Sequence, residues 1–423
     1  MNAPAMGVRF LYRGGADIAR DRPRILFIAT PSWLPALSTS GSPMIAHALT
    51  KAFATRGWGV GFLGLVKPDR WPGSEKANER IRAADADRQS CLWYSPRTLT
   101  HSDDLAVAAV IGEMDPEIVY CFGPEAAMLA RRAHPRGRIV TTFYEPPYLP
   151  ALYKRLIALK FAPLRTRLNA LCDLPGMLKR WLHERKSDLP GLAAADVVIA
   201  HSYNHSVKYS RKLNRRVEYF PNPLEQVAPV DRKTAHRPPA FLLAGNVAST
   251  VSLSGFYFLR DQVLPHLAHE LSRGDLQIMI IGGGKLPEAL SSALAMYPNV
   301  NILGHVDEAR LRDVYSRAIA LLVPTPIPVG FRTRIVDAFR HGVPAIVHAA
   351  NRAGFRQLEH GQNCLMTSNG AQFAQLMRDA LADPGRMQTI AQTARKEFEQ
   401  YYSADVFYRF IVETCRCREI RAS

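Results

Sequence analysis

The stretch Leu321–Val347, LLVPTPIPVGFRTRIVDAFRHGVPAIV, constrains the fold more than any other. It reads as strand, loop, helix, stop and strand. Leu321–Val323 closes an apolar run begun at Ala318, continuous enough for a buried parallel strand. Pro324, Pro326 and Pro328 then bar regular structure. Gly330 is expected to open a helix of about three turns. Gly342 ends it, Pro344 prevents its restarting, and Ala345–Val347 is the next strand. In a doubly wound sheet, ligands sit beyond the carboxyl ends of the strands, where a helix N-terminus presents free N–H groups. Arg332 and Arg334 add positive charge there, which points to an anionic ligand such as a phosphate. Asp337 follows Arg334 by three residues, so an ordinary surface ion pair between the two is the alternative.

The same alternation runs through the chain. Strands are expected at Arg24–Thr30, Val60–Leu65, Ile118–Cys121, Arg138–Thr142, Val197–Ala200 and Val217–Phe220. Helices are expected at Met44–Arg56, Ala106–Glu113 and Pro124–Ala133. Pro221–Pro239, rich in proline and charge, is the best boundary. Beyond it the pattern restarts with strands at Ala240–Ala244, Leu276–Ile281 and Val300–Leu303, and with helices at Phe256–Leu271, Leu286–Met296 and Glu308–Ser316. Residues 371–400 and 403–420 read as helical. Such alternation implies parallel sheets covered by helices. The predicted class is α/β, with two Rossmann-like domains facing across a cleft. Residues 1–225 form the first and 226–402 the second, and the helix in 403–423 returns to the first.

Residues 151–190 break the pattern. They hold nine basic residues against three acids, a local balance of +6, with Leu156, Phe161, Leu178, Trp181 and Leu182 among the apolar side chains. A basic amphipathic segment of this kind can lie on an anionic membrane surface. Its alternative is a helical insertion in the first domain with a solvated basic face. The whole chain of 423 residues carries a formal charge of +17, which favours anionic partners. No zinc-finger spacing, RNP-like aromatic run or basic low-complexity tail accompanies the charge, so no nucleic-acid role is expected. No apolar run reaches a membrane span and no signal peptide is evident. Six scattered cysteines fit reduced thiols, and the expected location is cytoplasmic, peripheral on the membrane's inner face at most.

The order of motifs resembles a known family. Gly245 lies in the exit loop of the first strand after the boundary, and a later strand runs into Gly282-Gly283. Asn301-Ile302-Leu303-Gly304-His305-Val306 and a Tyr315-containing helix follow, then Gly330-x-Arg-x-Arg-Ile-Val-Asp-Ala-Phe before Gly342-Val-Pro-Ala. These resemble the GT-B, retaining, nucleotide-sugar-dependent glycosyltransferases of the group 1 (family 4) type, most strongly over 240–370. The resemblance places Asp337 on the ribose of the nucleotide and the backbone around His305 at its base. It places Gly245, Asn246, Gly283, Gly330, Phe331 and, in the first domain, Gly41 at the donor. Val329 stands where the family carries its first acid, and the basic pair usual after the first C-terminal strand is absent from Gly245-Asn-Val-Ala-Ser-Thr. That leaves Arg332 and Arg334 to neutralise the diphosphate. Glu145 falls where the family places an acid near the acceptor, although Pro146 and Pro147 also suit a turn.

The resemblance implies transfer of a sugar from a nucleotide-diphosphate donor to a hydroxyl acceptor, possibly lipid-linked, in cell-surface polysaccharide or glycolipid synthesis. Glu145, Arg332 and Arg334 are the catalytic candidates, and neither metal nor cofactor is expected. Asp85-Ala86-Asp87, a literal Asp-x-Asp, sits in a polar connection with no strand leading into it and reads as surface. Two alternatives stay open. One is a nucleotide-sugar 2-epimerase. The other is a non-catalytic binding protein on the same fold, which the loss of the acid at Val329 permits.

Overall fold

The computed structural model describes residues 12–14, 20–29, 41–66, 90–96, 101–146, 148–161, 174–232 and 237–419. The chain divides into two compact units. One comprises Met1–Tyr144, Trp181–Glu225 and Ser403–Ser423, the other Glu145–Arg180 and Gln226–Tyr402.

The first unit is built on eight strands: β1 Tyr12–Gly14, β2 Arg24–Ala29, β3 Gly59–Val66, β4 Ser90–Pro96, β5 Ile118–Phe122, β6 Arg138–Phe143, β7 Val197–Ala200 and β8 Glu218–Tyr219. Their order is β1-β4-β3-β2-β5-β6-β7-β8, parallel except for β1 on β4. β2, β5 and β6 are buried along nearly their whole length, as continuous apolar runs in a sheet covered on both faces require. β4 was not expected. Ser-Cys-Leu-Trp-Tyr-Ser-Pro lacks the long apolar run of its neighbours, and Trp93 gains burial only through the tertiary fold. The helix Ala404–Glu419 closes this unit. Its Tyr408 meets the Phe53 ring at 4.8 Å and accepts a hydrogen bond from Trp58 Nε1 at 3.1 Å.

The second unit holds β9 Ala240–Ala244, β10 Gln277–Ile281, β11 Val300–Gly304, β12 Ala318–Val323, β13 Ala345–His348 and β14 Leu365–Thr367. All pair in parallel, in the order β11-β10-β9-β12-β13-β14. This is the 3-2-1-4-5-6 order of a dinucleotide-binding domain, with its switch point between β9 and β12. Side chains of β9, β10 and β12 (Phe241, Ile278 and Leu322 among them) join the helices over the sheet in one core.

Three expectations change in this unit. The helix after β9 begins at Thr250 rather than Phe256, because the Ser249 side chain accepts from Ser252 N and caps it. It passes through a π-helical stretch, Leu259–Val263, and a 3-10 turn at Pro265 before resuming at Ala268–Arg273. Gly330 does not open the later helix. Its φ of +68 is left-handed, and the helix spans Thr333–Arg340 only. The third change concerns residues 151–190, read above as part of the first domain. Glu145–Arg180 groups with the second unit, where the helix Tyr148–Phe161 lies against the helix Thr250–Phe258 and Phe161 stacks on Tyr257 with centroids 4.0 Å apart.

Candidate active site

Parallel strands bring all their carboxyl ends to one edge of the sheet. On that edge of the second unit, Gly245 follows β9, Gly282–Gly284 follow β10, His305 follows β11 and the proline loop follows β12. Gly41 belongs to the first unit, as the first residue of the helix Gly41–Ala54; Ser40 beside it lies outside the described residues. All the other candidates belong to the second unit.

The two glycine loops rest on each other. Gly245 N donates to Ile281 O at 3.1 Å, and Val247 N to Gly283 O at 3.0 Å. A Cβ on Gly282 would stand 1.7 Å from Gly245 O, and its φ of +141 is open to glycine alone, so this triple glycine is more than a flexible turn. Nothing lies within 4 Å of a Cβ built on Gly283. The Asn246 side-chain oxygen is taken by Ala248 N at 3.0 Å, so it shapes the loop. His305 is exposed just past Gly304.

The proline loop is held by a side chain that the sequence did not single out. Asn351, 4% exposed, donates from Nδ2 to the carbonyls of His348, Thr325 and Val323 at 2.8, 3.3 and 3.4 Å. Such a clamp suits a loop whose prolines remove N–H groups and leave carbonyls in need of donors. Val329, where the resemblance places an acid, is buried. The carboxylate nearest Gly330 comes instead from Glu145: Glu145 Oε2 would lie 2.9 Å from a Cβ on Gly330, and Arg332 Nη1 3.4 Å from it. Burial raises the Glu145 pKa above the usual carboxylate range, and the Arg332 charge only partly offsets this.

Arg332 is 7% exposed. Its Nη2 donates to Ile327 O at 3.2 Å, and its Nε has no partner among the described residues. Burial first, and the charge of Arg334 second, push its pKa down to about 9, while Glu145 pulls the other way. Arg334 crosses the switch point. From the first turn of the Thr333–Arg340 helix its Nη1 reaches Ala244 O, at the end of β9, at 3.1 Å, and its Nη2 reaches Ser252 Oγ at 3.3 Å. Arg334 Nη1 would be 3.6 Å from a Cβ on Gly245. The β9 exit, which lacks a basic residue of its own, thus receives one from the β12 side. Burial lowers the Arg334 pKa to about 10, still well above neutrality. The two guanidinium groups, Arg332 buried and Arg334 half-buried, donate to neutral oxygen atoms, so their positive charge can still attract an anion.

Asp337 takes other partners than Arg334. Its Oδ1 pairs with Arg340 Nε at 2.7 Å, and its Oδ2 accepts from Tyr315 OH at 2.9 Å. His341 stacks on Tyr315 with centroids 4.7 Å apart, and its Nδ1 lies 3.7 Å from Asp337 Oδ1. Both carboxylate oxygens are engaged, though each keeps lone-pair capacity that a sugar hydroxyl can share. Phe331 stacks on the buried Phe355 at 4.1 Å, in an internal aromatic group with Tyr402. Asp85 and Asp87 lie outside the described residues, and among those described no three His, Cys, Asp or Glu side chains form a metal cluster.

The helix Leu174–His183 exposes Leu178, Lys179, Arg180, Trp181 and Leu182, five consecutive residues that run round the helix. No helix among the described residues is long and apolar enough to cross a membrane.

Residues 238–383 match the family model of glycosyl transferases group 1. No curated protein sequence matches the chain. Solved structures match along nearly its full length. A glycosyltransferase from Rickettsia africae is 13% identical, covering 94% of this chain and 98% of its own, with a TM-score of 0.62. The sucrose-phosphate synthase of Thermosynechococcus elongatus is 15% identical over 95% and 100%, with a TM-score of 0.63. HepE of Anabaena in complex with UDP is 15% identical over 93% and 100%, also at 0.63. At identities this low the structural likeness shows the fold alone, the GT-B architecture of two Rossmann-like α/β domains.

Proposed function

The chain carries a group 1 glycosyltransferase domain on a GT-B fold, and from that premise we propose that it moves a sugar from a nucleotide-diphosphate sugar to a hydroxyl acceptor. One observation carries the donor assignment: Arg334, on the helix that follows the β12 loop, reaches the end of β9 across the switch point, with Arg332 two residues before it. The departing diphosphate gains negative charge in the transition state, and groups already desolvated and held in place stabilise it without reorganising. Arg332, Arg334 and the N–H groups opening the Thr333–Arg340 helix supply that charge, so a metal ion has no necessary part. Gly245, Gly283, His305 and Asp337 line the route for the nucleoside, with Asp337 sharing an oxygen with a ribose hydroxyl. Glu145, held against Gly330, is placed to orient the sugar or its acceptor hydroxyl.

The HepE structures with UDP and UDP-glucose support a uridine nucleotide as the first donor to test. Nucleotide release should be followed across a panel of UDP-sugars, with and without a lipid extract as acceptor. Acceptor-dependent release that survives chelation supports the reading. Release abolished by chelation and restored by a divalent ion removes its metal-independent part, and no release with any donor removes the transferase. Proton NMR of the anomeric position in the product tests retention.

The exposed basic and apolar residues of Leu174–His183 support work at an anionic membrane surface, on a glycolipid or polysaccharide precursor. Replacing Lys179, Arg180, Arg185 and Lys186 with Gln should release the protein from vesicles containing anionic lipid. Undiminished binding would leave that face merely solvated.

A further inference from the structure

The helix Tyr148–Phe161 departs from the usual rule that an amphipathic helix buries its apolar stripe. Tyr153, Leu156, Ile157, Lys160 and Phe161, at i, i+3, i+4, i+7 and i+8, line a cavity of about 320 Å³. None of the five is buried, Leu156 is 49% exposed, and the helix's one buried side chain is Arg155. Tyr257 lines the cavity as well, stacked on Phe161 and covered by the Arg260 guanidinium 5.0 Å from its ring. Ile327 also lines the cavity, and its carbonyl accepts from Arg332 Nη2 at 3.2 Å. An occupant would therefore lie one residue contact from a cation of the active-site loop.

We propose that this cavity receives the hydrocarbon chain of an anionic amphiphilic acceptor, an assignment that rests on the transferase reading only for the occupant's role as acceptor. Volume and lining are those of a small-molecule pocket, mostly apolar and aromatic with a few polar groups. The anionic head follows from charge. The helix carries Lys154, Arg155 and Lys160 and no acid; Lys154 and Lys160 are exposed, and Lys160 stands at the cavity. Asp261, the carboxylate in the lining, is paired with Arg260 at 2.9 Å, which cancels its repulsion. The chain fills the unburied stripe, the head stays among the lysines, and Ile327 connects the pocket with the loop that holds Arg332.

Calorimetric titration with decyl phosphate below its micelle concentration tests this, with decyl glucoside and inorganic phosphate as comparators and UDP as an independent probe of the donor site. Leu156→Glu puts a charge at the mouth, where half-exposure lets the fold tolerate it; Ile157→Trp fills the space. Wild type should bind decyl phosphate well above both comparators, and each variant about tenfold or more weakly, with UDP affinity unchanged. Equal binding by wild type and both variants, or no binding by wild type, overturns the proposal. Equal affinity for decyl glucoside and decyl phosphate overturns its anionic part. Failure of UDP to bind while decyl phosphate still binds would sink the donor reading and leave the cavity assignment standing.

Discussion

The two ends of the Thr333–Arg340 helix treat charge in opposite ways. At its start, Arg332 is buried and Arg334 half-buried, and their hydrogen bonds go to backbone carbonyls and one serine hydroxyl. One turn on, Asp337 meets Arg340, Tyr315 and the His341 ring, and its charge is answered within the fold. Charge answered in this way holds structure together. Charge left over is where an anion gains most, since the protein has already met the cost of burying it. The pattern Arg-x-Arg-x-x-Asp reads as one functional run, but in the fold Asp337 pairs with Arg340 and Tyr315, whereas Arg332 and Arg334 donate to neutral oxygen atoms.

The comparison breaks first, and by the largest margin, at Arg334. Arg334→Ala should lower turnover by about 10²–10³-fold, the usual loss when a preorganised transition-state donor is removed. Its melting temperature should stay close to wild type. A fall in stability matching the fall in rate would make Arg334 a strut for β9 instead.

Asp337→Ala should do the reverse. It leaves Arg340 buried without its carboxylate, so unfolding in denaturant should show about 3 kcal/mol lost. The double variant with Arg340→Ala should lose less than the two single losses combined. If Asp337→Ala unfolds like wild type yet binds UDP more weakly, the ribose role outweighs the structural one.

Gly330→Ala sharpens the boundary between the two ends. A side chain at φ +68, with its Cβ 2.9 Å from Glu145 Oε2, should cost about 1–3 kcal/mol and displace Glu145 or Arg332. Loss of kcat beyond the loss of folded protein would confirm that their spacing matters, whereas unchanged kinetics would free the reaction from it.

The smallest effect is a pH dependence at Glu145. Its pKa in the folded protein lies above the unfolded value, chiefly through burial. The folded state therefore holds this proton more tightly, and the carboxylate's penalty is absent below the unfolded pKa. The penalty grows as pH rises through the interval between the two and is complete above the folded pKa. Glu145→Gln should match wild type in acid and gain on it across that interval. A difference in stability that is flat with pH would show that Glu145 ionises as it does in the unfolded chain.

Much of the second unit was legible because its determinants are local. Continuous apolar runs such as Ala318–Val323, followed by proline or glycine, mark buried parallel strands wherever they occur. β4 and β14 escaped because Ser-Cys-Leu-Trp-Tyr-Ser-Pro and Leu-Met-Thr are polar or short and become strands only by pairing with neighbours. The helix start at Thr250 was legible in principle, since Ser249 three residues before Ser252 is a cap spacing. Asn351 gave no such signal, because the loop it clamps lies more than twenty residues away.

By itself the chain's pattern determined two α/β domains, the parallel sheet of the second, and the placing of Arg332 and Arg334 past a strand end, because hydrophobic period and turn chemistry act within a few residues. Partner choice was decided only by the tertiary structure. Whether Asp337 meets Arg334 or Arg340, whether Glu145 reaches Gly330, and whether the stripe of Tyr148–Phe161 is buried or lines a cavity all depend on elements far apart in sequence. Hydrogen-bond and packing energies fall off over a few ångströms, so distances in space settle what separations along the chain leave open.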